Sequence, residues 1–399
     1  MQICICRVRV EYVKLEEICT IVSGGTPSRS KPNYWNNGNI PWIKIKDMKS
    51  KYIDSAEEFI TEEGLNNSST KMLKRDTILY SIFATLGEVG ILKIDACTNQ
   101  AIAGLSLKED SNILKEYLYY YLKSKKKDVN NLGRGVAQNN INLSLLRKFK
   151  IPVIPLRQQK KIIEVLDNVS STINNYEREL ALLDELVKAR FVEMFGRPTD
   201  KITRYPKVKI GNLIKEGKAS IKAGPFGSSL KKEFYVKKGF KIYGQEQVIK
   251  NDPTFGDYYI NEDRFNSLKS CEVHAGDILI SLVGTCGKTM IMPENFEPGI
   301  INPRLLKIAF DAEFIIPIYF KYFFGSDDLQ KILNSASGHS TMNVVNAGML
   351  KNVELIMAPI ELQNQFASFV EEVDKSRLRE LLAIKQIKLL LNDLWFLFY

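Results

Sequence analysis

Gly284-Thr285-Cys286-Gly287-Lys288-Thr289 comes nearest to a chemical signature in this sequence, because glycines beside Lys and Thr after an apolar run can cradle phosphates. That pattern needs a glycine where Leu282 stands, and a helix afterwards, which Met290-Ile291-Met292-Pro293 is poorly suited to start. The equivalent stretch earlier in the chain, Thr85-Leu86-Gly87-Glu88, has no Lys. Nucleophilic triads are excluded by count, since His274 and His339 are the only histidines. Six cysteines (Cys4, Cys6, Cys19, Cys97, Cys271, Cys286) form no C-x-x-C pair, which argues against a zinc site and a disulfide framework and for reduced, structural thiols in the cytoplasm. The carboxylates show no spacing suited to magnesium. The chain reads as non-catalytic.

Asp252-Pro253-Thr254-Phe255 is similar to the Asp-Pro-Pro-Tyr tetrapeptide of amino-methylating DNA methyltransferases, but its third residue is wrong and no Gly-rich methyl-donor loop follows a first strand. A turn is the better reading. What remains are polar loops that interleave basic and aromatic residues. Ser23-Gly24-Gly25-Thr26-Pro27-Ser28-Arg29-Ser30-Lys31 leads into Tyr34-Trp35, and Lys44 and Lys46 follow Ile40-Pro41-Trp42-Ile43. Two hundred residues on, Lys222-Ala223-Gly224-Pro225-Phe226-Gly227-Ser228-Ser229-Leu230-Lys231-Lys232 holds the corresponding place, with Gln245 beyond it. Glycines would let backbone amides approach phosphates, while Ser and Lys add donors and Arg, Asn and Gln can read base edges. Ser28, Arg29, Lys31, Lys44 and Lys46, with Lys222, Ser228, Lys231, Lys232 and Gln245, are therefore the candidate DNA contacts. A second set lies nearer two helix starts: Arg134, Gln138, Asn139, Ser340 and Asn343. Each loop alone reads as an ordinary surface turn, and it is their equivalent positions in a duplicated, basic chain that favour DNA contact.

The elements that must hold these loops come in duplicate. Asp76-Thr77-Ile78-Leu79-Tyr80-Ser81 returns as Gly276-Asp277-Ile278-Leu279-Ile280-Ser281, and Val13-Lys14-Leu15 returns as Val208-Lys209-Ile210. Asn99 matches Asn302, and Pro155-Leu156 with Gln159 matches Pro359-Ile360 with Gln363. Short β-branched and aromatic segments between Gly/Ser/Asn/Pro loops predict an α+β class with two similar strand-rich units, residues 1–155 and 207–359. A helical insertion is expected from Ile113 to Lys126, carrying Tyr117-Leu118-Tyr119-Tyr120-Tyr121-Leu122.

Between and after the units the periodicity changes. Over 156–196, Ile162, Leu166, Val169, Ile173, Tyr176, Leu180, Leu183, Val187 and Met194 follow four- and three-residue steps, interrupted at Arg190. Gly196-Arg197-Pro198 ends the run and 197–206 reads as a linker. Over 360–399 the seam is Phe366, Val370, Val373, then Leu381, Ile384, Leu391, Trp395 and Phe398, with a stutter across Arg377. Two such helices can satisfy each other as an antiparallel coiled coil, setting the units on the order of 50–60 Å apart. The alternative is that each packs on its own unit.

The 399 residues suffice for two cores, and 45% hydrophobic with 26% charged residues is a globular composition. No run reaches membrane-spanning length, and Arg7 and Arg9 make Met1–Val10 unlike a signal peptide. A net charge of +10 favours a polyanionic partner.

Taken together the chain resembles the specificity subunit (HsdS) of Type I restriction-modification systems over nearly its whole length. Gly24-Gly25-Thr26-Pro27-Ser28 with Tyr34-Trp35, Gly224-Pro225-Phe226-Gly227-Ser228-Ser229-Leu230, the Asp277 and Thr77 strands, and the helix starts Ile154-Pro155-Leu156-Arg157-Gln158-Gln159 and Ala358-Pro359-Ile360-Glu361-Leu362-Gln363 carry it. Departures are Met1–Val10 ahead of the first unit, Leu362-Gln363 in place of a Gln-Gln pair, and the irregular last helix. The resemblance implies two target recognition domains in a pseudo-twofold duplicate, each reading half of a bipartite double-stranded DNA site. It also implies two spacer helices that set the gap, with no cofactor in this chain. Two modification subunits using S-adenosylmethionine, and restriction subunits using ATP and magnesium, would be its partners. A non-catalytic scaffold for another polyanion or a protein is the alternative.

Overall fold

The computed structural model describes residues 10–133, 140–282, 287–336 and 346–397 of the chain. They form two compact units, residues 1–175 with 384–399, and 176–383, so each long helix contributes a segment to both.

In the first unit strand Ile78–Ser81 is buried along its length and sits in the middle of a five-stranded sheet. Its order is Cys19–Ser23, Ile102–Leu107, Ile78–Ser81, Val89–Leu92, Tyr52–Ile53. A second sheet pairs Ile40–Ile43 antiparallel with Glu58–Ile60 and parallel with Cys97–Thr98. Glu11–Lys14 pairs with Lys150–Val153 and ties the start of the unit to its end.

The second unit repeats these pairings. Ala219–Ala223, Leu305–Phe310, Ile278–Ser281 and Thr289–Ile291 form one sheet in that order. Phe240–Tyr243 pairs antiparallel with Tyr259–Ile260 and parallel with Gly299–Ile301, as Ile40–Ile43 does with its own neighbours. Lys207–Lys209 pairs with Glu354–Ile356. Turn chemistry repeats as well: the Ser81 and Ser281 hydroxyls accept from Glu88 and Lys288 amides at 2.7 and 3.1 Å. Gly87 and Gly287 both take φ of +78°, a conformation costly for any side chain. The duplication is one of topology as well as of sequence.

The tyrosine-rich segment is not an insertion, contrary to the sequence expectation. Helix Lys115–Ser124 ends before Lys125, and its run from Tyr117 to Leu122 is buried throughout. The Tyr117 hydroxyl donates to Pro152 O at 3.2 Å, and Tyr319, on the matching helix Pro317–Phe324, donates to Ile356 O at 2.7 Å. A helix apolar all round has no periodicity to announce a buried face.

The central helix is Leu156–Phe195 and the C-terminal helix Ile360–Leu397. Ile162, Leu166, Val187 and Met194 are buried, and Val169, Ile173, Tyr176, Leu180 and Leu183 are half-buried. Phe191, 2% exposed, takes the seam position that the sequence pattern gave to Arg190, whose guanidinium instead bonds Glu193 at 2.8 Å.

On the C-terminal helix Phe366, Val370, Val373 and Ile384 are buried as expected. Leu381 is 54% exposed and is not a seam residue. The stripe runs instead through Arg377, Glu380, Ile384, Ile387 and Leu391, which keeps the four-three alternation without a stutter. Arg377 fits there because Asp184 on the central helix and Asp374 accept from its guanidinium. Within the second unit Phe191 and Phe195 meet Phe366 at 5.4 and 5.6 Å and Arg190 lies over Phe369. Central-helix numbers fall as their partners' rise from Phe366 to Arg377, so these segments run antiparallel. In the first unit Leu391 packs on the core that includes Ile162 and Leu166. Side chains of Trp395 and Phe398 lie outside the described residues.

Each helix is fastened at its first turn by one buried glutamine. Gln159 accepts the Leu114 amide at 2.7 Å and donates to Asn112 O and Ile154 O at 2.7 and 2.8 Å. Gln363 does the same with the Ile316 amide (3.1 Å), Phe314 O and Ala358 O (both 2.9 Å). Both side chains are 0% exposed. Leu114 and Ile316 are the N-cap residues of Lys115–Ser124 and Pro317–Phe324, so the amide satisfies donors a helix start would otherwise leave bare. Replacing Gln159 or Gln363 with Leu strands three buried backbone groups and should lower unfolding free energy by about 2–4 kcal/mol. Chemical denaturation of the full chain checks this, with Lys160→Ala as a surface control expected within about 0.5 kcal/mol of the parent.

Candidate nucleic-acid interface

Trp42, near the end of strand Ile40–Ile43, is buried and donates its indole N–H to Gly25 O at 3.0 Å. Trp35 meets it edge-on at 5.0 Å and donates to Ser28 O at 3.1 Å. Two indoles thus pin the 25–28 backbone and offer a face to the residue that follows. The Arg29 guanidinium occupies that face, 3.6 Å from the Trp35 ring centre and 5.1 Å from that of Trp42.

Arg29 also donates to Glu58, whose other carboxylate oxygen accepts from Lys44. Lys46 bonds Glu57 and Lys31 donates to the Tyr34 hydroxyl at 3.0 Å, a bond that holds the Lys31 ammonium above its ordinary range. Ser28 and Ser30 hydroxyls lie 2.8 Å apart. For Glu58, burial would lift the carboxyl, but bonds from Lys44 and Arg29 outweigh it and hold the group below the usual range. The structure therefore brings Ser28, Arg29, Lys31, Lys44 and Lys46 into one neighbourhood, with the four cations already partnered.

The second loop is built differently. Lys222 is half-buried on strand Ala219–Ala223, opposite Lys307. Ser228 is exposed in the 3-10 turn Gly227–Ser229. Lys231 lies 3.5 Å from Glu233, and Lys232 is exposed. Gln245 opens helix Gln245–Lys250; its neighbour Gln247 is buried and structural, accepting the Gly244 amide and donating to Phe255 O, both at 2.9 Å. Phe226, 87% exposed at the loop tip, is a surface aromatic that sequence reading passed over. Arg134, Gln138, Asn139, Ser340 and Asn343 lie outside the described residues.

Three of the loop glycines, Gly24, Gly25 and Gly224, have another role than the one expected. Gly24, Gly25 and Gly224 amides donate to Ile102 O, Thr98 O and Leu305 O at 3.0, 2.9 and 2.9 Å, so they are not held out for phosphates. A Cβ on Gly24 would stand 2.1 Å from Asn99 O, and one on Gly224 1.8 Å from Asn302 O. The glycines let each loop press on the backbone of the matched asparagine.

Asp252 accepts from the Thr254 amide and hydroxyl at 2.9 and 2.6 Å, a self-contained turn. After Gly287 the chain enters strand Thr289–Ile291 and not a helix, while 283–286 lie outside the described residues. Among the described residues no three His, Cys, Asp or Glu side chains converge on a metal-sized site. No helix among them is long and apolar enough to cross a membrane. Cys19, Cys97 and Cys271 are buried, and burial pushes the Cys19 thiol up to about 12.

Comparison with known proteins follows the duplication. The family model for the Type I restriction modification DNA specificity domain matches twice, over residues 7–184 and 216–389. The chain is 34% identical over 188 residues to the Escherichia coli Type I restriction enzyme EcoR124I/EcoR124II specificity subunit. That similarity covers 46% of this chain and 46% of the relative, so it spans about half the relative's length. To the MjaVIII specificity subunit of Methanocaldococcus jannaschii it is 20% identical over 382 residues, 91% of this chain and 86% of the relative. A chain solved in work on complex assembly and conformational transition of the type I R-M system superposes with a TM-score of 0.59. It covers 96% of this chain and 95% of its own length at 15% identity, a likeness of fold.

Gly24→Ala or Gly224→Ala should displace the whole loop, costing on the order of 2–4 kcal/mol in stability through overpacking against backbone. For Gly24→Ala the Trp35 and Trp42 fluorescence should move to longer wavelength as the indoles lose Ser28 O and Gly25 O. Unchanged emission would mean that the glycine is dispensable to the loop.

Proposed function

The chain belongs to the family of Type I restriction modification DNA specificity domains, and from that premise we propose that it is the sequence reader of such a complex. Each globular unit reads one half of a bipartite double-stranded target, and the two long helices set the gap between the halves. The observation that carries this is the pair of equivalent loops, Gly24–Lys31 and Gly224–Lys231, on isomorphous strand pairings, in units that each fasten a long helix through one buried glutamine.

The chain acts as a scaffold as well. Leu182 and Leu186 on the central helix, and Leu378, Leu381, Leu382 and Leu389 on the C-terminal one, are exposed apolar side chains outside the seam. Stripes of this kind mark association surfaces, and they suit two modification subunits that supply S-adenosylmethionine chemistry. Restriction subunits using ATP and magnesium would join that core, in the cytoplasm. A second reading, a scaffold for a different polyanion or a protein, draws on the internal pairing of Arg29, Lys44 and Lys46 with Glu57 and Glu58. The two readings differ in salt response, since phosphate neutralisation makes affinity for duplex DNA fall steeply with salt.

Exchanging residues 11–155 for a homologous unit should change one half of the sequence methylated by the reconstituted complex and leave the other half and the gap intact. Inserting four residues near Asn174 should lengthen the gap with the bases unchanged. Altered bases after the insertion, or both halves altered after the exchange, would refute this division of labour.

A further inference from the structure

Arg29, Trp35, Trp42, Lys44 and Glu58 form a unit more specific than a basic patch. Glu58 is set by strand pairing directly opposite Trp42, so its carboxylate is delivered by the sheet and not by a mobile loop. Its Oε2 accepts from Arg29 Nη2 and its Oε1 from Lys44 Nζ, so one anion bridges two cations. The Lys44 side chain is 17% exposed, against 54% for Arg29. Arg29 is thus the accessible member, fixed on its flat face by Trp35 and at one edge by Glu58. A guanidinium carries five N–H donors, and Arg29's other donors have no hydrogen-bond partner among the described residues.

An arginine held by face and edge has lost the freedom to swing toward whichever phosphate is nearest. It keeps a planar fork, the group that pairs bidentately with guanine O6 and N7. Lys44, tied to the same carboxylate and largely covered, adds little attraction for phosphates. We propose that Glu58 is a positioning residue for base readout, orienting Arg29 as a base-edge fork while withholding the charge of Arg29 and Lys44 from non-specific phosphate contact. This rests on the DNA-reading function above and adds to it a named reader and the residue that disciplines it.

The test uses the full-length parent, Glu58→Gln and Arg29→Lys chains. Each is titrated with a mixed-sequence duplex across a salt series and used to select binders from a duplex pool with randomised positions. Glu58→Gln keeps the shape and the acceptor but removes the charge. It should bind mixed-sequence duplex about 3–10-fold more tightly at low salt, with a log–log salt slope steeper by roughly one contact. In the pool it should lose about tenfold discrimination at a single base pair, where the parent selects G·C. Arg29→Lys, which retains charge but not the fork, should lose discrimination at that same base pair without the gain in non-specific affinity. Three results would overturn the inference: no change with Glu58→Gln, the two variants acting at different base pairs, or Glu58→Gln weakening the selected site with mixed-sequence binding unaltered. The last would make Glu58 itself the reader. A parent chain that selects no sequence would remove the DNA-reading function, and this inference with it.

Discussion

Everything in either unit hangs from a single buried amide. Gln159 and Gln363 each close a three-way bond set among a helix's first turn, the strand end before it, and the cap of the aromatic helix that fills the core. A neutral amide suits this place because it supplies one acceptor and two donors to backbone groups that would be costly to leave bare out of water. A carboxylate would face two carbonyl oxygens, and a hydrocarbon would satisfy nothing. With that angle of departure fixed, the seams can be regular, and the loops around Arg29 and Phe226 sit on a scaffold whose helices cannot swivel at their roots.

The electrostatics depart from the picture that a net charge of +10 suggests. In the first unit Glu57 and Glu58 answer Arg29, Lys44 and Lys46 directly, so much of that charge is met within the unit and one guanidinium stays accessible. Exposed pairs of this kind add little stability; their consequence is in what they prevent, since a lysine engaged at home has less to gain from a phosphate. The second unit places Lys231 near Glu233 but sets Phe226 largely in solvent, so the matching loop presents an aromatic tip in place of a braced guanidinium.

The duplication was legible from Ile78-Leu79 against Ile278-Leu279 and from the paired Pro-x-x-x-Gln helix starts, because a repeated fold must repeat its turn and cap residues. The seam was legible over its regular stretches, Ile162 to Val187 and Phe366 to Val373. It was misread at Arg377, since a charge among leucines looks like an interruption until Asp184 of the facing helix is seen to accept from it. Arg190 misled in the opposite way, standing at the arithmetically correct step while Phe191 beside it was the buried residue. Arg29, Lys44 and Lys46 could be listed from sequence but their partners were hidden, because Glu58 reaches Arg29 and Lys44 only through the register that sets it against Trp42. The glycines were found for the wrong reason: a carbonyl 2.1 Å from an absent Cβ leaves no trace in sequence spacing.

Two independent readers at a fixed separation can be checked by sequencing the modified bases in DNA from cells that carry this chain with the modification subunits proposed for it. One asymmetric motif is expected, two short and unrelated half-sites divided by a gap of constant length in which any base is tolerated. A continuous motif, a palindrome of one half-site, or a gap of variable length would contradict it.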